Sequence, residues 1–220
     1  MKQTISNNTV LAHVQDVRAL TDSTVVIRFD RNNLNFEPGQ YVSVGIEGMR
    51  ENREYSIYSS PDKDYMEILV KDITGGVLSP HLCTVVPGDI LRVAGPFGYF
   101  TISKDSLNKR FLFIATGTGI SPFHSLVSAH PAMAYHICHG VSYDSEQYDR
   151  SIYGERYTGC ISRESGGDYH GRVTECIKGQ TIAPDTLCYL CGNCDMIYDV
   201  FDILIGKGVH PDNLHAEVYF

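Results

Sequence analysis

At 220 residues with 43% hydrophobic content, the chain has material for one large or two ordinary domains. A formal charge of -8 speaks against nucleic acid or an anionic membrane surface as the main partner. No apolar run approaches the roughly 18 residues a membrane span needs, and the opening MKQTISNNTV lacks the apolar centre of a signal peptide, so a cytoplasmic protein is expected.

The first hundred residues read as β-rich. VLAHVQDV, TVVIRFD, QYVSVGI, EYSIYSS, YMEILVK and ILRVAG are short runs of β-branched and aromatic residues, separated by the turn clusters RNNLNFEPGQ, SSPDKD and VPGD. Six such strands suggest an antiparallel barrel, because closure removes exposed edges. A short helical piece is expected around Ser79 to Cys83. After a linker, SKDSLNK, the texture changes. RFLFIAT is a continuous apolar run, as in a strand buried on both faces of a parallel sheet. A helix from Pro122 to about Ser128 follows, then the strands AYHICHGV, YTGCIS and TLCYLCG. NCDMIYDVFDILIGKG has Ile197, Val200, Phe201, Leu204 and Ile205 at helical spacing, with Asn193 as cap. The expectation is a two-domain chain: a six-stranded antiparallel β-barrel over 1–104, then an α/β parallel-sheet domain over 105–220.

Two constellations carry chemistry. In ATGTGISP, a buried strand runs into Gly117, Thr118 and Gly119, a turn in which backbone N–H groups can approach an anion; Ser121 suits an N-cap and Pro122 the first helical position. In the barrel half, Arg53 offers a planar fork for a phosphate. On a strand, 53, 55, 57 and 59 would face one way and 56, 58 and 60 the other. Gly75 and Gly76 precede a helix capped by Ser79 or by the turn before it.

The succession REYS, GGVLSPHL, PGDILRVAGPFGYF, ATGTGISPF, LCGN and AEVYF resembles the ferredoxin–NADP reductase family, in particular its bacterial flavoenzymes, over residues 53 to 220. The resemblance implies an FAD-binding barrel and a domain for a pyridine nucleotide, with FAD rather than FMN resting on it alone. Arg53 with backbone groups from Gly76 to Ser79 would hold the flavin pyrophosphate, and Val70, Gly75, Val77 and Leu78 belong to the same flavin-binding set. Tyr55 would lie against the isoalloxazine, and Ser56 near its N5 as a proton-managing hydroxyl. Gly117, Thr118 and Gly119 would cradle the nucleotide pyrophosphate. Cys191, next to Gly192, would stand beside the nicotinamide as a polarizable contact. Tyr219 would cover the flavin ring, Phe220 would extend towards the rest of the cofactor, and Glu217 would join Ser56 and Cys191 as a possible proton route.

The seven cysteines form a poor disulfide framework and read as reduced thiols. CYLCGNC has iron–sulfur-like spacing, but Tyr198 and Asp199 stand where a fourth ligand would be; no metal is expected. His136 and His139 read as core or surface histidines rather than ligands. Ser162, Arg163 and Arg172 favour NADPH, whereas Ser142 stands where bacterial NADP enzymes carry a further arginine. The implied reaction moves hydride between NADP(H) and FAD and passes single electrons to or from ferredoxin or flavodoxin, steered by a basic face of Arg31, Arg50, Lys63 and Lys71. The alternatives are an NADH-dependent reductase serving free flavin, a cytochrome or an oxygenase, and a flavin-bearing electron-transfer subunit of a larger complex.

Overall fold

The structure, a computed structural model, describes residues 9–219. The chain divides into two compact units, one of residues up to Thr101 together with His124–Ala129, the other of Ile102–Phe123 and His130 onward.

The first unit contains β1 (Thr9–Thr21), β2 (Thr24–Asp30), β3 (Tyr41–Ile46), β4 (Arg53–Ser56), β5 (Tyr65–Lys71), a one-turn helix α1 (Ser79–Leu82) and β6 (Ile90–Phe97). The strands form one antiparallel sheet in the order β4-β3-β6-β1-β2-β5. Its two edges meet: Ile57 bridges Ile68, and Tyr58 N–H donates to the Glu67 carbonyl at 2.7 Å. The sheet therefore closes on itself at Ile57 and Tyr58, as the barrel the strand pattern implied. Inside lie Ile27, Phe29, Val42, Ile57, Ile68 and Leu91, each fully buried, and each contributes roughly 1.5–3 kcal/mol of transfer free energy.

The alternation expected for 53–59 ends at Ser56, and residues 56 to 60 are all buried. Ile57 closes the barrel, while the Tyr58 ring stacks on His124 at 3.8 Å and the Ser59 carbonyl accepts from the Ser125 hydroxyl at 2.7 Å. Both sides of the segment are covered, so the polar/apolar period of a half-buried strand has no physical basis there.

The second unit contains β7 (Arg110–Thr116), β8 (Ala134–Val141), a short helix α3 (Arg150–Tyr153), β9 (Tyr157–Ile161), the two-residue β10 (Tyr169–His170), α4 (Val173–Gly179), β11 (Leu187–Asn193), α5 (Cys194–Gly206) and β12 (Leu214–Tyr219). Helix α2 (Ser121–Ala129) begins in this unit, and its residues from His124 group with the first. All strand pairs are parallel, in the order β10-β9-β8-β7-β11-β12. β7 is buried from Phe111 to Ala115, as expected of a central strand covered on both faces. One face packs Leu112, Ile114, Cys188 and Leu190 against Val173, Ile177, Val200 and Leu204.

Helix α5 corrects the apolar stripe. Met196, Ile197, Val200 and Leu204 are buried, whereas Phe201 is half-buried and Ile205 is 38% exposed. The buried stripe is centred on 196, 200 and 204, so 201 and 205, one residue further round, lie on its rim. Asn193 caps the helix as expected, its side-chain oxygen accepting from Met196 N–H at 3.1 Å.

Candidate functional site

In the second unit β8 and β9 extend to one side of β7, while β11 and β12 lie on the other. Strand order reverses between β7 and β11, and in open parallel sheets ligands bind outside the carboxyl ends of the strands at such a point. Three chain segments reach that edge. Thr116 ends β7 and leads into a 3-10 turn, Gly117–Ile120; Cys191, Gly192 and Asn193 end β11; Glu217 and Tyr219 lie at the end of β12.

The two glycines of the turn serve different ends. A Cβ at Gly119 would collide with the Cys191 carbonyl, so this glycine lets the turn lie directly on β11. A Cβ at Gly117 (φ +52°) would meet nothing within 4 Å, so open space remains there for a ligand. Ser121 does not act as the expected N-cap. It is the first helical residue, and its hydroxyl donates to the Thr118 carbonyl at 2.7 Å, bracing the turn from behind; Pro122 consequently takes the second helical position.

Cys191 and Glu217 are register partners on adjacent strands, as are Asn193 and Tyr219. Cys191 is fully buried; burial pushes its thiol well above the ordinary range, and the nearby Glu217 charge adds to this. A hydrogen bond with the Tyr219 side chain acts in the opposite direction. The group is therefore a neutral thiol, a weak nucleophile. Glu217 and Tyr219 are half-buried. Phe220 lies outside the described residues. Cys188 is on the opposite face of β11, in the core beside Leu190, with its thiol 3.7 Å from the Thr186 carbonyl.

Two further residues stand at this edge: Thr116, which no motif singled out, and His139, expected as a core or surface histidine and found in the core. Thr116 Oγ1 accepts from Asn193 N–H at 2.8 Å, tying β7 to β11. His139, with no exposed surface, lies beside Ala115 in register, with Nε2 2.7 Å from the Gly117 carbonyl and Nδ1 2.9 Å from the Tyr157 hydroxyl. Burial drives its imidazole down to about 4, outweighing the Gly117 hydrogen bond and the Glu146 charge that favour protonation. The motif YHICHG named the histidine, but only the β7–β8 pairing shows what it touches.

Around the ends of β8 and β9, Ser162 donates from its hydroxyl and N–H to the Val141 carbonyl at 3.1 and 3.0 Å, and Arg163 N–H donates to the Ser142 carbonyl at 3.0 Å. Arg163 and the α4 cap residue Arg172 are exposed. Among the described residues neither guanidinium makes a hydrogen bond or ion pair, so surface carboxylates do not occupy them. Acidic groups are close in sequence: Glu146 accepts from Ser142 and Tyr143 N–H at 2.9 and 3.2 Å, and Glu164 accepts from Asp144 N–H.

In the first unit Arg53, Tyr55 and Ser56 share β4. The exposed Arg53 guanidinium has one partner among the described residues, the Asn52 carbonyl at 2.8 Å. Tyr55 is half-buried against the barrel core; burial, then the nearby Cys83, pushes its phenol up to about 12, with Arg53 opposing. It is a neutral, flat apolar surface. Ser56 is 3% exposed. Val70 and Leu78 place their side chains in the core, which leaves main-chain groups for a ligand, while Gly75 (φ +80°) is open and Val77 is half-exposed. The Ser79 hydroxyl accepts from Ile73 N–H at 3.2 Å and closes this turn on itself. An exposed guanidinium beside a flat aromatic, with an open glycine turn in the same unit, fits a cofactor with a pyrophosphate and a planar ring. The expected basic face loses Arg31, which donates to the Leu34, Pro61 and Lys63 carbonyls at 2.6–2.7 Å and staples two loops instead.

Residues 11–102 match the family model described as the oxidoreductase FAD-binding domain. The chain is 30% identical to ferredoxin–NADP reductase B of Sorangium cellulosum (strain So ce56), covering 94% of this chain and 96% of the relative. It is 28% identical to the toluate 1,2-dioxygenase electron transfer component of Pseudomonas putida over 94% of this chain, and spans only about two thirds (67%) of that protein. Among solved structures, a ferredoxin NADP+ reductase from Neisseria gonorrhoeae with bound FAD and NADP shares the fold, with a TM-score of 0.85 at 21% identity over 96% of this chain and 99% of that one. Among the described residues no helix is long and apolar enough to cross a membrane.

Proposed function

This chain belongs to the ferredoxin–NADP reductase family of flavin oxidoreductases, and we propose that it moves hydride between NADP(H) and FAD and exchanges single electrons with a small ferredoxin or flavodoxin. The observation that carries the reading is the convergence of the Gly117 turn, Cys191, Glu217 and Tyr219 at the strand-order reversal of the parallel sheet. Bound FAD supplies the conversion between two-electron and one-electron chemistry. In the first unit Arg53, with main-chain groups of Gly76 to Ser79, binds the flavin pyrophosphate, Tyr55 packs on the ring, and the Ser56 hydroxyl holds a proton. In the second unit Gly117, Thr118 and Gly119 take the nucleotide phosphates, and the neutral Cys191 thiol gives the nicotinamide a polarizable wall. Glu217 accepts hydrogen bonds at its carboxylate and passes a proton. The aromatic ring of Tyr219 excludes water until the nicotinamide displaces it.

Ser162, Arg163 and Arg172 bind the 2′-phosphate of NADP(H); two exposed guanidiniums without carboxylate partners support this. A second reading, an NADH-dependent reductase of an oxygenase system, is favoured by Glu146, whose carboxylate adds negative charge at Ser142 and Tyr143. The relative named as a dioxygenase electron transfer component agrees with that alternative.

A visible spectrum of the purified protein, followed by dye reduction with NADPH and with NADH, separates these readings. Flavin absorption with faster NADPH turnover is expected. A colourless protein that takes up no FAD defeats both readings, and NADH rates equal to or above those with NADPH defeat the first. Removing Tyr219 and Phe220 is expected to tighten oxidised-nucleotide binding about tenfold, because a competing internal occupant is gone, and to slow turnover. Titration with NADP+ and steady-state rates check this; a truncation that changes neither refutes the covering role.

A further inference from the structure

We propose that His139 is a positioning residue for nucleotide binding, whose imidazole fixes the peptide plane between Gly117 and Thr118 and so aims the Thr118 N–H at the phosphates. This rests on the reading of Gly117–Gly119 as the phosphate cradle.

A histidine with no exposed surface needs a partner for each ring nitrogen, and the two partners dictate its tautomer. Nε2 lies 2.7 Å from the Gly117 carbonyl, which can only accept, so Nε2 carries the proton. In the neutral ring Nδ1 is then the acceptor, and the Tyr157 hydroxyl, 2.9 Å away, is the donor. The order is fixed as Tyr157 O–H to Nδ1, and Nε2–H to the Gly117 carbonyl.

The anchor behind this pair is stiff. Tyr157 stacks on Tyr153 with ring centroids 5.6 Å apart and planes at 11°. On Tyr157 also lies the Arg150 guanidinium, 5.6 Å from the ring centroid and held by Asp168 at 2.6 Å and Gln147 at 2.8 Å. The group being held is the first residue of the 3-10 turn. Gly117 has φ +52° and open space around its α-carbon, so no side chain of its own restrains the peptide that follows. That peptide is planar and trans, and its N–H points opposite to its C=O. With the Gly117 carbonyl drawn to His139, the Thr118 N–H faces away from the imidazole. A rotated peptide would instead present carbonyl lone pairs where an anion is to bind. A donor oriented in advance costs no reorganisation when the anion arrives. An apolar residue at 139 would fill the space without holding the carbonyl.

The test uses the FAD-loaded full chain and calorimetric titration with NADP+ and NAD+, alongside steady-state kinetics and amide exchange at Thr118. H139L is expected to weaken dinucleotide binding about tenfold, the loss of one oriented donor. KM should rise in proportion, kcat should stay within about twofold, and Thr118 exchange should be faster. H139Q, whose carboxamide N–H reaches the same carbonyl, is expected to retain affinity within about threefold of wild type. Unchanged affinity in H139L, or equal loss in H139Q and H139L, overturns the proposal. Should H139L not fold, H139N serves, since its amide nitrogen matches Nδ1 and falls short of Gly117; affinity equal to that of H139Q then overturns it. G117A reads the cradle separately, by filling space that is otherwise open. Unchanged affinity there removes the cradle and the proposal together, whereas loss in G117A with none in H139L removes only the role of His139.

Discussion

Replacing Gly192 with alanine is expected to cost the fold about 3 kcal/mol or more, through strain and a backbone collision acting together. Gly192 has φ +126°, a conformation side chains rarely adopt. A Cβ there would strike Thr116 Oγ1 and sit within 2.8 Å of its carbonyl oxygen and 3.1 Å of its nitrogen. The struck hydroxyl is the one that accepts from Asn193 N–H, so the methyl group also breaks the tie between β7 and β11. Two of the three atoms met are Thr116 backbone, which leaves little room to relax. For a chain of this length such a loss lowers the melting midpoint by roughly 6–12 °C. Gly208 provides the internal control: it also has positive φ (+86°), but a Cβ there meets nothing within 4 Å. Alanine at 208 should cost about 1 kcal/mol from backbone conformation alone. Thermal unfolding of the two variants checks this, and equal midpoints would refute the collision.

Acidification is expected to destabilise the second unit through His139, by about 3 kcal/mol once the pH reaches about 4. The imidazole is held neutral by burial, with its folded-state value near 4 against an ordinary 6.5. Between those values the unfolded chain binds a proton that the native chain refuses. Stability is thus unaffected above pH 6.5, falls with decreasing pH below it, and levels off below 4. The groups facing the ring are the Gly117 carbonyl, the Tyr157 hydroxyl, the Tyr148 ring and the Glu146 charge. Other groups titrate over the same window, so the informative quantity is the difference between wild type and H139Q. That difference should shift in favour of the variant as the pH is lowered from 7 to 4.5. A difference independent of pH would show that His139 does not carry the acid sensitivity.

What the sequence by itself determined is what local chemistry determines. Strands in 9–97 and a both-faces-buried β7 follow from side-chain period and apolar runs, and the α5 cap from an asparagine placed before an amphipathic stretch. The order of motifs also pointed to the family, because each motif is a short backbone device with its own residue requirements. Gly117 and Gly119 were visible as a pair; that one is open to a ligand and the other is pressed against Cys191 was not, since the difference lies in a strand more than seventy residues away.

The tertiary structure alone decided the non-local pairings. These are barrel closure at Ile57 and Ile68, the reversal of strand order between β7 and β11, and the register that sets Cys191 beside Glu217. His139 shows the same division. An imidazole on an apolar strand can be a satisfied core residue or a working one, and composition cannot separate the two. Its role depends on whether Nε2 meets a carbonyl of the glycine turn, and that is set by the parallel register of β7 with β8, which pairs Ala115 with His139.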